Sequence, residues 1–271
     1  MTPAIEVVGL SYRYPDGTLA LDGLDLRIGA RERVAVLGPN GAGKTTLVHH
    51  LNGLLLAQQG QVRINGAPLD RSRLAEVRHE VGLVFQDPDD QLFMPTVRDD
   101  VAFGPANAGL AGSALQDRVA EALEAVGMLD AADRPPHHLS FGQRRRVAVA
   151  TVLAMRPSVL VLDEPSSNLD PASRRELAEI LLGLPVTVVL VTHDLPYAWQ
   201  LCERSVVLSG GRIVADDSTG RLLADGDLLR QHRLELPLGF EPRPASCAEA
   251  GGRRRGRPIG RARTRRRRGS R

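Results

Sequence analysis

Gly38-Pro39-Asn40-Gly41-Ala42-Gly43-Lys44-Thr45, followed by Thr46, is the stretch that decides how this chain folds. It has the spacing of a phosphate-binding loop, G-x-x-x-x-G-K-[ST]. Gly41 and Gly43 let the backbone approach a phosphate with no Cβ in the way, and successive N–H groups form an anion nest. A helix opening at this point adds about half a positive charge at its N-terminus. Lys44 is the only lysine among 35 basic residues; every other one is arginine. A compact ammonium on a flexible stem suits phosphate oxygens, so Lys44 is expected against the β- and γ-phosphates of a nucleotide. The Thr45 hydroxyl is expected to ligate Mg²⁺.

Working outward, Val34–Leu37 is a short apolar strand that runs into the loop, and Leu47, Leu51, Leu54 and Leu55 fall on one helical face behind it. Strand, glycine turn and helix in that order is the context such a loop requires. Ile5–Leu10 and Leu24–Ile28 read as strands on either side of the turn Pro15-Asp16-Gly17, and Val62–Ile64 and Val81–Phe85 as further strands. From Asp87 to about His138 the texture changes. Leu115, Val119, Leu123 and Val126 form one face of an amphipathic helix that ends near Gly127, inside a helical insertion. Strands then resume at Val159–Leu162 and Val186–Val191. A helix starts between them at Pro171, and a hairpin follows at Gly210-Gly211. Alternating strands and helices predict an α/β fold with a mostly parallel sheet covered on both faces.

Val159-Leu160-Val161-Leu162-Asp163-Glu164 ends a buried strand in two carboxylates, which places them at the carboxyl edge of the sheet, where ligands bind in such folds. Asp163 is expected to hold Mg²⁺. Glu164 is expected to polarise an attacking water or take its proton. Ser140 with Gln143 three residues later reads as a capping box that opens a helix and aims a hydroxyl and free N–H groups at an anion.

Leu139-Ser140-Phe141-Gly142-Gln143 is also the point at which the chain resembles an ATP-binding-cassette (ABC) ATPase, whose signature is L-S-x-G-Q. In the same register, Gln86 matches the Q-loop glutamine, Ser167-Asn168-Leu169-Asp170 the D-loop and His193 the switch histidine. Tyr14 matches the aromatic that stacks on adenine, with Tyr12 as its competitor. The resemblance implies a P-loop NTPase fold over about residues 1–240, with a RecA-like sheet, an N-terminal antiparallel β subdomain and a helical subdomain inserted at about 87–142. It implies ATP and Mg²⁺ as cofactors: ATP on Tyr14, Gly38, Pro39, Asn40, Gly41, Ala42, Gly43, Lys44, Thr45, Thr46 and Gln86, and Mg²⁺ on Thr45, Gln86 and Asp163. It makes Glu164 and His193 catalytic. Ser140, Gly142 and Gln143 would close onto the nucleotide held by the partner of a head-to-tail dimer. Phe141 stands where the commonest signature has glycine, and an aromatic there is similar to one branch of the family.

That branch is the ATPase subunits of energy-coupling-factor and cobalt/nickel importers. It is resembled as well by Phe85-Gln86-Asp87-Pro88-Asp89-Asp90-Gln91-Leu92-Phe93, by Asp100-Val101-Ala102-Phe103-Gly104-Pro105 and by Leu234-Glu235-Leu236-Pro237. The resemblance implies a second ABC ATPase subunit, identical or not, an integral membrane coupling protein and a substrate-capturing membrane protein as partners. It places the chain peripherally on the cytoplasmic side of the membrane.

Composition narrows the remaining classes. Residues 253–271 hold eleven of the 35 bases, all arginine, and no acid, which leaves 24 bases against 32 acids elsewhere, a net of −8. The body is therefore acidic, and residues 241–271 read as a disordered Arg-rich tail. No apolar run approaches the ~18 residues of a membrane helix, and no signal peptide is expected. Cys202 and Cys247 suggest no disulfide framework, Cys202 reading as inert and half-buried. The adjacent pairs His49-His50 and His137-His138 point to different faces and make poor metal ligands. One alternative is a nucleic-acid- or ribosome-associated ABC ATPase that uses the Arg-rich tail. The repair and chromosome ATPases of that superfamily insert long coiled coils between the glycine loop and the signature; no sustained heptads occur between Lys44 and Ser140, and no specific nucleic acid is expected. An ABC subunit of another transporter class is the other alternative.

Overall fold

The computed structural model describes residues 2–242, so the arginine segment lies outside the described residues. The chain opens with β1 (Ile5–Arg13) and β2 (Leu19–Ile28), then β3 (Arg33–Leu37), α1 (Lys44–Leu51), β4 (Gln59–Ile64), β5 (Ala67–Pro68), α2 (Leu74–Glu80) and β6 (Val81–Val84). Three helices follow: α3 (Val97–Asn107), α4 (Gly112–Ala125) and α5 (Phe141–Leu153). Strands and helices then alternate through β7 (Val159–Asp163), α6 (Pro171–Gly183), β8 (Thr187–Thr192), α7 (Leu195–Leu201) and β9 (Arg204–Ser209), and β10 (Arg212–Ser218), α8 (Thr219–Ala224) and α9 (Gly226–Gln231) follow.

Two sheets result. The first is antiparallel in the order β2-β1-β4-β5. The second has the order β10-β9-β3-β8-β7-β6 and is parallel except for the edge strand β10, which returns antiparallel through the expected Gly210-Gly211 turn. β3, β7 and β8 are almost wholly buried, which is why they read as unbroken apolar runs. Alternate residues of each strand serve opposite layers. Val34, Val36, Val159 and Val161 pack with α1 and the antiparallel sheet. Ala35, Leu37, Leu160 and Leu162 pack in the core shared with α3 to α9. The expected fold class is the observed one.

Local chemistry sets the helix ends. The capping box at Ser140 and Gln143 opens α5. Asp170 accepts from the N–H groups of Ala172 and Ser173 to open α6, with Pro171 in the first turn. The Thr96 side chain caps α3. Within the insertion, α4 buries Val119 and Leu123 as expected, and Gly127 turns the chain with φ +64°. Two expectations fail. Leu54 and Leu55 do not continue the α1 face, because the helix ends at Leu51: Gly53 takes φ +73° and the Asn52 side chain accepts from the Leu54 N–H. A hydrophobic period cannot register such a stop. Cys202 is fully buried rather than half-buried. Among the described residues no helix is long and apolar enough to cross a membrane.

Candidate nucleotide site

The carboxyl ends of β3, β7 and β8 lie side by side, with Leu37 opposite Thr192 and Asp163 opposite Val191. From β3 the chain goes on to the far edge strand β6, whereas from β8 it passes back across β3 to β9; these opposite directions mark the crevice where α/β sheets bind ligands. A cavity of about 420 Å³ opens there. The loop lines it from Asn40 to Thr46. Facing the loop are Gln86, Asp163, Glu164 and His193, and beside it are Tyr14, Thr18, Leu19 and Ala20. Sequence reading missed the last three, whose only signal is that they follow the turn at Asp16-Gly17.

The loop is held close to its neighbours. A Cβ on Gly38 would lie 2.2 Å from the Leu208 carbonyl oxygen, and one on Gly43, at φ +103°, 2.4 Å from that of Ala20. Neither backbone oxygen can yield, so glycine is required at both. The Lys44 ammonium donates to the carbonyls of Gly38 (2.7 Å) and Pro39 (3.0 Å), arching the loop over its own side chain. Burial pushes its pKa down, while Glu164 and Asp163 oppose that shift. The Thr45 hydroxyl donates to Asp163 Oδ2 at 3.3 Å. Burial, then the neighbouring Glu164, raise the Asp163 pKa above the ordinary carboxylate value.

Glu164 follows directly, with an uncommon left-handed backbone (φ +46°) that turns its side chain back under β8. Its carboxylate accepts from the Thr192 hydroxyl (3.0 Å), the His193 N–H (3.1 Å) and His193 Nδ1 (2.7 Å). The Glu164 side chain is 8% exposed and that of His193 63%, so a buried carboxylate is bonded to an imidazole open to the cavity. Thr192 was not singled out from sequence. On the far wall, Tyr14 shares a hydrogen bond of 3.0 Å with the Thr46 hydroxyl. Tyr12 instead packs edge-on against His50 (4.8 Å), a fully buried residue whose Nδ1–H donates to the Thr46 carbonyl. Of the two competing tyrosines, Tyr14 lines the cavity.

Ser140, Gly142 and Gln143 are not brought to this cavity. Ser140 and Gln143 bond to each other, Ser140 Oγ accepting from the Gln143 N–H and Gln143 Oε1 from the Ser140 N–H. Gly142 is buried against α6, where a Cβ would meet Ser173 Oγ at 2.4 Å. The donor set near the loop is a threonine hydroxyl, a carboxylate and an amide side chain. These are hard oxygen ligands that fit Mg²⁺, which needs few protein ligands when phosphate oxygens complete its shell. The described residues contain no cluster of three His, Cys, Asp or Glu side chains placed to hold a metal.

A glycine loop between a buried strand and a helix, facing acidic residues at the end of a second strand, defines a P-loop nucleoside triphosphatase. Residues 21–167 match the ABC transporter family. A Streptomyces avermitilis chain with the provisional name ABC transporter ATP-binding protein is 66% identical over 241 residues, which cover 89% of this chain and 92% of that one. The energy-coupling factor transporter ATP-binding protein of Methanothermobacter thermautotrophicus is 49% identical over 238 residues, 86% of this chain and 76% of that one. Among solved structures, cbiO1 of Clostridium perfringens, described as part of the ABC transporter complex cbiONQ, superposes with a TM-score of 0.78 at 38% identity. The match covers 88% of this chain and 97% of that one. The chain belongs to the ABC transporter ATP-binding family, the ATP-binding and ATP-hydrolysing subunits of these transporters.

Proposed function

We propose that this chain drives an energy-coupling-factor-type importer by binding and hydrolysing Mg·ATP. One observation carries the reading: the cavity gathers Lys44, Thr45, Gln86, Asp163, Glu164 and His193, while the capped helix start at Ser140–Gln143 lies outside it. One chain thus holds most of a site, and a second chain, identical or paired, supplies the rest. The names borne by the Methanothermobacter and Clostridium relatives support the importer branch. The cargo is a vitamin or a transition-metal ion such as cobalt or nickel, and it is selected by a membrane partner.

The residues divide the work. The Gly38–Thr46 segment and Lys44 grip the triphosphate, and Tyr14 supports the adenine. Thr45, Gln86 and Asp163 would hold Mg²⁺, which when bound neutralises charge on the phosphate oxygens. His193 contacts the γ-phosphate, and Glu164 orients the attacking water and receives its proton. Ser140, Gly142 and Gln143 approach the same phosphate from the partner. Catalysis is positioning and charge stabilisation. Residues 1–240 form the ATPase domain, and about 87–142 is the part that meets the membrane coupling protein. There Phe93 (63% exposed) and Phe103 (46%) stack edge-to-face at 5.0 Å in an open apolar pair. The chain would sit on the cytoplasmic face of the membrane.

Glu164→Gln tests the site shared between two chains. It should bind Mg·ATP and accumulate as a dimer on sizing chromatography, whereas Lys44→Ala should lose turnover at saturating ATP. A Glu164→Gln chain that stays monomeric with nucleotide bound would overturn the shared site.

A further inference from the structure

Arg145 is the largest wholly buried side chain among the described residues. It has no salt-bridge partner there, although its neighbours Arg144 and Arg146 pair with Asp89 and Glu176. Its charge is met instead by two consecutive peptide carbonyls: Nη1 donates to the Phe85 oxygen (2.7 Å) and Nη2 to the Gln86 oxygen (2.5 Å). The guanidinium carbon lies 5.4 Å from the Phe141 ring centroid, one turn back on α5. A desolvated guanidinium is costly to keep, so a site that spends it on backbone oxygens needs that backbone fixed.

Arg145 is the centre of a longer clasp. Gln91 accepts from the Phe85 N–H (3.2 Å) and donates to the Ala148 carbonyl (2.8 Å) and the Thr151 hydroxyl (2.7 Å), both on α5. Arg144 reaches Asp89 at 2.9 Å. Residues 85–91, which carry Gln86 into the nucleotide cavity, are thus fastened along α5. That helix begins at the Ser140–Gln143 capping box.

We propose that Arg145 is a positioning residue that makes the Gln86 segment and the signature end of α5 one moving body. Engagement of Gln86 with nucleotide in one chain then sets where that chain's Ser140 and Gly142 meet the partner's nucleotide. The inference rests on the roles proposed above for Gln86 and Ser140. It adds that the two sites of a dimer communicate through two consecutive peptide bonds and one guanidinium.

The test uses the full chain with Arg145→Met, which keeps the stem and removes both donors, and Arg145→Lys, which keeps one cationic donor. Mg·ATP affinity of the monomer is measured by calorimetry, closure by ATP-driven dimerisation in a Glu164→Gln background, and turnover with Glu164 intact. Arg145→Met should bind Mg·ATP as the parent does, yet dimerise and turn over about tenfold less well, as expected when a coupling of the usual size is lost. Arg145→Lys should fall between. Loss of affinity, turnover and thermal stability in parallel would mark Arg145 as merely structural and overturn the proposal, as would unchanged closure. Should Arg145→Met not fold, hydrogen exchange of the parent chain at concentrations too dilute to dimerise decides. Mg·ATP should protect amides of 85–91 and 141–145 together, and a response confined to 85–91 refutes the single body. A parent chain that fails to bind Mg·ATP would instead sink the nucleotide reading itself.

Discussion

Replacing Thr192 with valine isolates the support under Glu164. The two side chains have nearly the same shape, and the site is wholly buried, so no cavity opens. Two hydrogen bonds disappear: the one the hydroxyl donates to Glu164 Oε2 (3.0 Å) and the one it accepts from the Asp194 N–H (3.0 Å). The first reaches a buried carboxylate and is worth about 1.5–3 kcal/mol, the second roughly 1 kcal/mol. The added methyl returns about 0.8 kcal/mol by burial. A net loss of about 2–3 kcal/mol should lower the melting temperature by roughly 4–12 °C for a chain of this size. With Glu164 left on two donors, both from His193, turnover at saturating Mg·ATP should fall about tenfold while KM stays near the parent's, because the lost contact serves the chemical step rather than binding. Thr192→Ser keeps the hydroxyl and should recover turnover, at the cost of about 1 kcal/mol for the missing methyl. A Thr192→Val chain with the parent's melting temperature and turnover, or a Thr192→Ser chain equally impaired, would refute the reasoning.

Three further outcomes are expected. Asp163 has a raised pKa in the folded chain, so the nucleotide-free protein binds more protons than the unfolded chain just above the unfolded value of about 3.9, and its stability falls as pH rises from there through the folded pKa. Asp163→Asn should therefore melt higher near neutral pH, by about 0.5–2 kcal/mol, and lose that pH slope; equal melting curves at pH 7 would count against it. Cys202 is buried and its thiol is pushed up to about 12, so in a Cys247→Ser chain it should react with a thiol reagent only after unfolding, and rapid stoichiometric labelling of folded protein would contradict the packing. Gly82→Ala would place a Cβ 2.1 Å from Val152 Cγ1 and 3.2 Å from Pro157 Cγ, costing about 1–3 kcal/mol in denaturant unfolding. Adding Val152→Ala should restore part of that cost, and strictly additive losses would show that the two positions do not clash.

Much of the architecture could be read from the chain because its central strands are covered on both faces. An unbroken run such as Val159–Leu162 needs no partner to be recognised, and the two carboxylates after it mark the strand's end. The glycine loop is equally local, since its function is written in backbone geometry. What stayed hidden depends on distant contacts or on helix phase. Three successive arginines at 144–146 share one chemistry, and only the packing of α5 decides that the middle one turns inward. The hydroxyl of Thr192 meets a carboxylate 28 residues away, a pairing no local pattern records. The early end of α1 was lost for the opposite reason: Asn52 and Gly53 act within one turn, below the reach of a hydrophobic period.

The fit of Gly142 against Ser173 bears on how variants of this protein are interpreted. Position 142 answers to two masters, the neighbouring helix of its own subunit and, in the proposed dimer, a phosphate across the interface. An inactive substitution there cannot by itself be credited to the missing phosphate contact, since the same methyl would already wedge apart two helices of a lone subunit. Opening room at Ser173 first would separate the two demands, and only the inactivity that then persisted would belong to the nucleotide.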